Sequence, residues 1–376
     1  PAGSGDWDFD DNHHGTHVAG TIAAVGGNGQ GVVGVNENGL LPMHIVKVFD
    51  AAGWAYSSSL VAAADDCIAN GANIISMSLG GSSKNRTEQQ AFNAYNNNGV
   101  LSIAAAGNDG NSRHSYPASY SSVMSVAALD SDSLVADFSQ YTSQVEIAAP
   151  GVAVLSTQPV GVATWGEINV ANVGYASSPL ENTGYASSTL YDLATGEAED
   201  SAASGSVCLI QRGNISFHDK ALNCENSGGV AAIIYNNEAG GFLGTLGDTN
   251  ATTIPVVTVS DTAGAAMLAQ LGLAATVDIG PSDFAHYDGT SMATPHVSGV
   301  AALVWSNHPV CTSQNIRDAL NGSAIDLGDS GRDNYYGNGL VQASDASQWL
   351  GSDCGASHGG DGGGDTTCRG GPKKCP

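Results

Sequence analysis

Segments with a helical apolar period alternate with short apolar segments along residues 12–150, and this alternation constrains the fold more than any other feature. Asn12 is a candidate cap for a helix that runs through Val25. Further helices are predicted for residues 60–70 and 87–98, since a glycine follows each. The apolar segments between them predict strands at 43–48, 73–79, 100–105, 123–128 and 145–148. Strands that alternate with helices pair in parallel, so we predict an α/β fold with a parallel sheet and helices on both faces.

A second pattern begins after residue 157. Residues 158–205 are rich in small polar residues and have weak periodicity, and a compact set of elements follows. Strands are predicted at 207–212, 230–236 and 254–259, with helices at 217–226 and 261–271. Helices of the first kind return at 289–306 and 313–320. We therefore predict a small inserted domain at 158–283 that divides the main domain into residues 1–157 and 284–352, with a Gly-rich tail or linker at 353–376.

The charge of the chain restricts its partners. The chain has 36 acidic and 11 basic residues, which gives a formal net charge of −25. Such a charge repels nucleic acid and anionic lipid. No apolar run approaches the roughly 18–20 residues that a membrane helix needs. We expect a folded, monomeric protein that binds neither nucleic acid nor a membrane.

Seven cysteines, none in a C-x-x-C zinc pattern, suit an oxidising compartment outside the cell. The candidate disulfide pairs are Cys208–Cys224, Cys311–Cys354 and Cys368–Cys375. Cys67 is left over. It is either a buried free thiol or the partner of a cysteine outside this chain.

Three short segments combine a reactive polar residue with glycines and a helix of small residues. They are residues 14–20 (HGTHVAG), 105–110 (AAGNDG) and 289–296 (GTSMATPH). Ser291 at a helix start lies among unpaired N–H groups, where negative charge is stabilised. A serine needs an adjacent base to become a nucleophile, and His14 is the candidate. Asn108, at the end of a strand, could direct its side-chain amide at the same oxyanion.

In their letters and their order, these segments resemble the His, oxyanion-Asn and Ser motifs of the subtilisin-like serine proteases. Residues 76–81 (SMSLGG) resemble the substrate-lining strand of that family. The resemblance implies a subtilisin-like fold and a secreted serine endopeptidase. In that enzyme His14 would be the general base, Ser291 the nucleophile and Asn108 the oxyanion donor, with no cofactor in catalysis. It implies contacts to protein or peptide substrates from Ser78, Leu79, Gly80, Ala106 and Gly107. His17 and His296 would be structural.

The middle of the chain has a resemblance of its own. Residues 208–213 (CLIQRG), together with Phe217, Lys220 and residues 228–236 (GGVAAIIYN), look like a protease-associated (PA) domain. Subtilisin-like proteases often carry such a domain between their last strands and the serine motif. The resemblance implies substrate contact or access control, while an insert with only a structural role is the alternative.

The triad aspartate of the family has no counterpart here. In subtilisin order it precedes the histidine by about thirty residues, whereas only thirteen residues precede His14. The aspartates at 6, 8, 10 and 11 are therefore too close to match. Either the chain is an N-terminally incomplete piece of an active enzyme, or it is an inactive pseudoprotease that serves as a protein-binding module.

Two finer expectations concern a metal and the specificity. Many relatives bind calcium in the loop after the His helix, here residues 26–32, where Asn28 could be a ligand beside backbone carbonyls. Asp109 and Ser115 are expected near the pocket for the residue before the cut, where a carboxylate would favour a basic side chain.

Two other hydrolase classes fit less well. His13, His14 and His17 suggest a metal hydrolase, but Gly15 and the three-residue spacing do not match H-E-x-x-H. A chymotrypsin-like enzyme would be an antiparallel β-barrel, which the alternation of helix and strand contradicts.

Overall fold

The structure of the main domain, a computed structural model, is built on a parallel sheet. Residues 5–50, 53, 55–247 and 249–358 are described. Four parallel strands lie in the order β1-β2-β3-β4. They are β1 (Ile74–Met77), β2 (Leu101–Ala105), β3 (Val123–Leu129) and β4 (Val145–Pro150). The predicted α/β fold is thus confirmed.

Helices cover both faces of this sheet. On one face, Ala293 and Val297 of one helix pack against Ile103, Met124 and Ile147. The other face is covered by two helices, whose side chains pack against β1 and β2. The helices of the main domain are α1 (His14–Ala23), α2 (Ser57–Ala69), α3 (Arg86–Asn97), α6 (Thr290–Asn307), α7 (Ser313–Gly322) and α8 (Ala343–Leu350). Burial on both faces explains the nearly continuous apolar runs of the strands.

The predicted strand at residues 43–48 is wrong. Residues 41–50 have no strand, and the side chains of Met43 and Ile45 are 42% and 47% exposed. Strand β1 pairs only with β2 among the described residues, so its other edge is open. An apolar sequence becomes a strand only where a neighbouring strand accepts and donates its backbone hydrogen bonds.

The inserted region folds around an eight-stranded mixed sheet, in the order β7-β6-β13-β9-β10-β11-β12-β8. Helices α4 (Phe217–Asn226) and α5 (Asp261–Leu268) pack on its faces. The strands are β6 (Ala163–Val170), β7 (Val173–Tyr175), β8 (Ser178–Pro179), β9 (Gly184–Asp192), β10 (Val207–Gln211), β11 (Ala231–Tyr235), β12 (Val256–Val259) and β13 (Ala274–Ser282).

Strands β6 to β9 and β13 were not predicted. In β6, for example, Ile168 and Val170 are buried while Glu167 and Asn169 are exposed. A short antiparallel strand with one polar face gives a weak signal in a sequence rich in serine and glycine.

Two of the predicted disulfides are confirmed. Cys208–Cys224 joins β10 to α4, and Cys311–Cys354 joins the segments that follow α6 and α8. Cys67 is a half-buried free thiol on α2. The predicted pair Cys368–Cys375 and most of the predicted tail lie outside the described residues.

A two-stranded antiparallel ribbon joins the insert to the main domain. It consists of β5 (Val154–Thr157) and β14 (Phe284–Tyr287), with Phe284 opposite Thr157 and Tyr287 opposite Val154. The chain enters the insert from β5 and returns from it through β14. Helix α6 begins three residues after β14 ends.

Candidate active site

Three of the four predicted site segments, those that contain Ser78, Asn108 and Ser291, meet at one edge of the central sheet. Ser78 directly follows β1, and Asn108 lies three residues after β2. Since β1 and β2 are parallel neighbours, both segments leave the sheet at its carboxyl edge. The first turn of α6 contacts both of them, through hydrogen bonds of Thr290 and Ser291. Ligands of open parallel sheets bind at this edge.

Asn108 is held in one orientation by the residue before the predicted nucleophile. Its Oδ1 accepts hydrogen bonds from the backbone N–H of Thr290 at 2.9 Å and from Thr290 Oγ1 at 2.7 Å. Nδ2 lies 3.4 Å from the position that a Cβ on Gly289 would occupy. Because two donors fix the oxygen, the N–H groups of the amide remain as donors beside the start of α6.

Ser291 lies in the first turn of α6, where the backbone N–H groups have no partner inside the helix. Its Oγ donates to the carbonyl oxygen of Ser78 at 3.3 Å, and Ser78 Oγ donates to the carbonyl oxygen of Ser291 at 2.6 Å. The structure therefore brings Ser291, Asn108 and Ser78 together. Their chemical roles remain predictions.

His14 is the first residue of α1, a helix that packs against α6. Asn36 links the two helices, since its Nδ2 donates to the carbonyl oxygens of Ile22 at 3.3 Å and Gly299 at 3.0 Å. Among the described residues no hydrogen bond joins His14 to Ser291. Burial lowers the pKa of His14, and the nearby negative charge of Asp10 partly offsets this effect. His14 is thus held toward the neutral form that can accept a proton.

Asp10, and not Asn12, caps the His helix. Its Oδ2 accepts hydrogen bonds from the N–H and from Oγ1 of Thr16, both at 2.7 Å. His13 occupies the cap position with φ of 65° and no side-chain bond. Burial raises the pKa of Asp10, but these bonds and those from the backbone of His13 and Asn12 outweigh it and keep the pKa below its usual value. Acid residues before a helix stabilise its first turn.

The predicted substrate-contacting residues line the same edge. A Cβ on Gly80 would lie 2.4 Å from Ser115 Oγ, so Gly80 permits a close approach of the two segments. Gly107 has φ of 112°, and a Cβ there would lie 1.7 Å from Gln140 Oε1. Leu79 packs on the apolar cluster of β1 and α3, and Ala106 is buried.

Sequence reasoning missed two residues that support this site. Thr290 is fully buried and fixes Asn108, and its Oγ1 also accepts a hydrogen bond from the N–H of Gly107 at 3.2 Å. The backbone N–H of Gln140 donates to the carbonyl oxygen of Gly107 at 2.9 Å. Thr290 adjoins the serine in the motif, which was the available signal. No local pattern marks Gln140.

The predicted calcium ligand lies in an exposed loop. Asn28 Oδ1 accepts a hydrogen bond from the N–H of Gln30 at 3.0 Å. The carboxylate of Glu37 lies beside Gly26 at the base of this loop. Within the described ranges no group of three His, Cys, Asp or Glu side chains converges as metal ligands would. A calcium ion usually takes six to eight oxygen ligands, and Asn28 remains a predicted ligand.

Comparison with known families identifies the family of this chain. The model of the subtilase family matches residues 3–197 and 252–339, and that of the PA domain matches residues 172–267. The chain therefore belongs to the subtilase family and carries a PA domain in its middle. In the part of the chain that the structure describes, no helix is long and apolar enough to cross a membrane.

Particular relatives support this assignment. The chain is 31% identical over 339 residues to a thermostable alkaline protease of Halalkalibacterium halodurans. The match covers 90% of this chain and 59% of that protein. It is 28% identical over 346 residues to subtilisin DY of Bacillus licheniformis, with 91% and 80% covered. The crystal structure of the psychrophilic subtilisin-like protease Apa1 from the Antarctic psychrotroph Pseudoalteromonas sp. AS-11 matches with a TM-score of 0.81 and 44% identity. That match covers 94% of this chain and 88% of Apa1. The chain thus spans less than two thirds of the length of the first relative.

Proposed function

We propose that this chain is the catalytic unit of a secreted serine endopeptidase, with Ser291 as nucleophile, His14 as general base and Asn108 as oxyanion donor. The observation that carries the proposal is the anchoring of Asn108. Two hydrogen bonds from Thr290 hold its Oδ1, and its Nδ2 and the backbone nitrogen of Ser291 lie 3.4 and 3.5 Å from the same point, the Cβ position of Gly289. A donor fixed before the reaction stabilises the developing charge without any cost of reorganisation.

The chemistry follows from these positions. His14 takes the proton of Ser291 Oγ as that oxygen attacks the carbonyl carbon of a peptide bond. The resulting oxyanion accepts hydrogen bonds from Asn108 Nδ2 and from the N–H of Ser291. His14 then protonates the leaving amine, the C–N bond breaks, and water hydrolyses the acyl-enzyme. For the first step, Ser291 Oγ exchanges its bond to the carbonyl of Ser78 for one to His14.

We propose that the carboxylate that orients His14 comes from outside this chain. Asp10 is the nearest candidate within it, but its carboxylate is already bound to Thr16 at the head of α1. The edge of β1 that faces away from β2 has no strand partner among the described residues and could accept one more strand. Without the carboxylate, turnover is expected to be lower by about 10⁴.

Protein and peptide substrates are proposed to add a strand beside residues 78–80. Gly81 pairs with Tyr116 through two backbone bonds of 2.8 Å, which holds this segment extended. An extended segment whose other side is open recognises a peptide backbone regardless of sequence.

The residue after the oxyanion asparagine offers a test of specificity. Asp109 is exposed, and its carbonyl oxygen accepts a hydrogen bond from Asn111 Nδ2 at 3.2 Å. We expect peptides with Lys before the cut to be preferred to matched Phe and Leu peptides, and Asp109→Asn to remove that preference. Equal kcat/KM for the three peptides in the wild type would contradict the expectation.

Secretion, a monomeric state and a calcium ion bound at residues 26–32 complete the proposal. The two disulfides and the net charge of −25 support an oxidising, extracellular setting. Calcium bound at Asn28 would stabilise the loop and take no part in the chemistry. A chelator should then lower the melting temperature of the wild type and leave that of Asn28→Ala unchanged.

A fluorophosphonate probe tests the proposed nucleophile. We expect an adduct at Ser291, found by mass spectrometry, and no adduct in Ser291→Ala. Ser298→Ala is the matched control, since Ser298 lies on the same helix and its hydroxyl donates to Ser76 Oγ at 2.8 Å, away from Ser291. Labelling elsewhere, or no labelling even when a strand that carries the proposed carboxylate is supplied, would favour the inactive, protein-binding alternative.

A further inference from the structure

The ribbon β5/β14 connects the insert to both helices that carry the proposed catalytic pair. Its second strand leads from the insert toward α6, and Ser291 lies four residues after Tyr287. Its first strand packs along α1, the helix that begins with His14. Besides the direct packing of α1 on α6 and the link through Asn36, the relative position of base and nucleophile therefore depends on how α1 is held to this ribbon.

Close contacts hold α1 to β5. Ser156 Oγ donates to the carbonyl oxygen of His17 at 2.7 Å, and Thr157 Oγ1 donates to that of Thr16 at 2.9 Å. Gly20 is buried at the crossing, and a Cβ there would lie 2.1 Å from Thr157 Oγ1. These bonds fix the helix to one strand only.

The side chain of His17 reaches both strands. Its Nε2 lies 3.0 Å from the carbonyl oxygen of Val154 in β5 and 3.1 Å from that of Ala285 in β14. Its ring stacks on Tyr287 with the centroids 4.5 Å apart and the planes 5° apart. The side chain is fully buried. Since both neighbours of Nε2 are acceptors, Nε2 carries the proton and donates to both.

The charge state of His17 agrees with this arrangement. Burial lowers its pKa to about 4, although the bonds to Ala285 and Val154 raise it and the nearby His14 and His286 lower it further. The ring is therefore neutral at neutral pH. Nδ1 has no hydrogen-bond partner among the described residues, so the side-chain hydrogen bonds of His17 go only to the ribbon.

The insert holds the other end of the ribbon. Trp165 of β6 stacks on His286 of β14, with centroids 5.8 Å apart and planes 24° apart. At the junction, the N–H of Gly161 donates to Asp283 Oδ1 at 2.6 Å, and the N–H of Gln158 donates to the carbonyl oxygen of Asp283 at 2.6 Å. The ribbon is thus fixed from both domains.

We propose that His17 is a positioning residue, which fixes the His14 helix to the ribbon that continues into the Ser291 helix. The inserted domain then takes part in aligning the pair through Trp165 and His286. The inference rests on the proposed roles of His14 and Ser291. Misplacement of a catalytic group by about 1 Å can slow a reaction a hundredfold, so a loose ribbon should be measurable.

Two readouts on the full chain test the proposal. One is the rate constant for fluorophosphonate labelling of Ser291, corrected for the folded fraction. The other is the NMR titration of the His14 ring, which requires no activity. The variants are His17→Ala, His17→Gln, whose amide can still donate to the ribbon, and His17→Asn, whose amide is too short to reach both strands. His308→Gln, at the far end of α6, is the control.

We expect His17→Ala and His17→Asn to label about tenfold to a hundredfold more slowly, with the titration of His14 moved upward as burial is lost. His17→Gln should stay within about threefold of the wild type, and Trp165→Ala should show a smaller loss of the same kind. If His17→Ala does not fold, the labelling rates of His17→Asn and His17→Gln test the proposal by themselves.

Failure of this inference is distinguishable from failure of the proposed function. Suppose that the wild type labels at Ser291 and that the His17 variants lower the melting temperature but change neither the labelling rate nor the His14 titration. This result overturns the positioning role alone. A wild type that never labels overturns the proposed function. In that case a His14 titration that moves in His17→Asn and not in His308→Gln still supports positioning, and an unmoved titration overturns it.

Discussion

At the scale of single residues, the site depends on how each side chain is held. Asn108 would be an ordinary turn residue if Thr290 did not take both lone pairs of its Oδ1. Asp10 is a carboxylate near the proposed base, yet it accepts the N–H of Thr16 and so caps the helix. The hydrogen-bond partners, and not the residue types alone, separate a catalytic role from a structural one.

The anchored amide of Asn108 predicts a loss specific to the transition state. Asn108→Ala should lower the labelling or turnover rate by about 10²–10³, with substrate binding nearly unchanged. Asn111→Ala, in the same loop, should have a much smaller effect on the rate, because the Asn111 side chain bonds only within the loop, to the carbonyl oxygen of Asp109 and the N–H of Arg113, and does not contact Thr290 or Ser291 among the described residues. An equal loss in both variants, measured as kcat and KM on one peptide, would point to a disturbed loop instead.

The lowered pKa of His14 predicts activity that persists in mild acid. The base must be neutral to accept a proton, and burial favours the neutral form. The labelling rate at Ser291 should therefore rise with pH and reach half of its plateau below about pH 6.5, the ordinary value for histidine. A midpoint above that value would show that His14 is not the group that titrates.

At the scale of secondary-structure elements, close packing decides where the helices sit. Helix α1 lies against β5 because Gly20 has no side chain, and α6 approaches Val35 through Gly299, where a Cβ would lie 2.8 Å from Val35 Cβ. Both positions lie inside helices, where glycine costs about 0.5–1 kcal/mol relative to alanine. Packing therefore outweighs helix propensity at both.

Gly20→Ala should accordingly destabilise the fold in spite of its better helix propensity. The new methyl group overlaps Thr157 Oγ1 and Ser156 Oγ, so the free energy of unfolding should fall by about 1–3 kcal/mol. Gly280→Ala in β13 is the control, since nothing lies within 4 Å of its Cβ position. Denaturant melts that rank the two variants equally would contradict this account.

At the scale of the whole molecule, the ribbon β5/β14 makes one unit of two domains. His17 and the Trp165–His286 stack bind it from either side. The fold should therefore be sensitive to acid at this ribbon. Protonation of His17 would place a charge and an Nδ1–H without a described partner in a buried position.

His17 predicts a loss of stability in acid. The unfolded histidine gains a proton below about pH 6.5, whereas the folded one resists protonation down to about pH 4. The free energy of unfolding should fall between these values by about 3 kcal/mol from this residue, and no further below them. Denaturant melts from pH 7 to 4 should show a smaller fall in His17→Gln than in wild type and His308→Gln. Parallel curves would contradict the prediction.

The sequence alone was enough for the family, the order of the motifs and most helices, including α4, whose predicted bounds the structure reproduces. These features rest on local periods and short motifs, which a linear pattern contains. Only the tertiary structure decided that residues 43–48 lack a strand partner, that residues 158–205 hold four strands, and that Asp10 caps α1. It also brought His17 to both strands of the ribbon. Each of these outcomes depends on partners far apart in the chain, and the closing of such contacts leaves no period in the sequence.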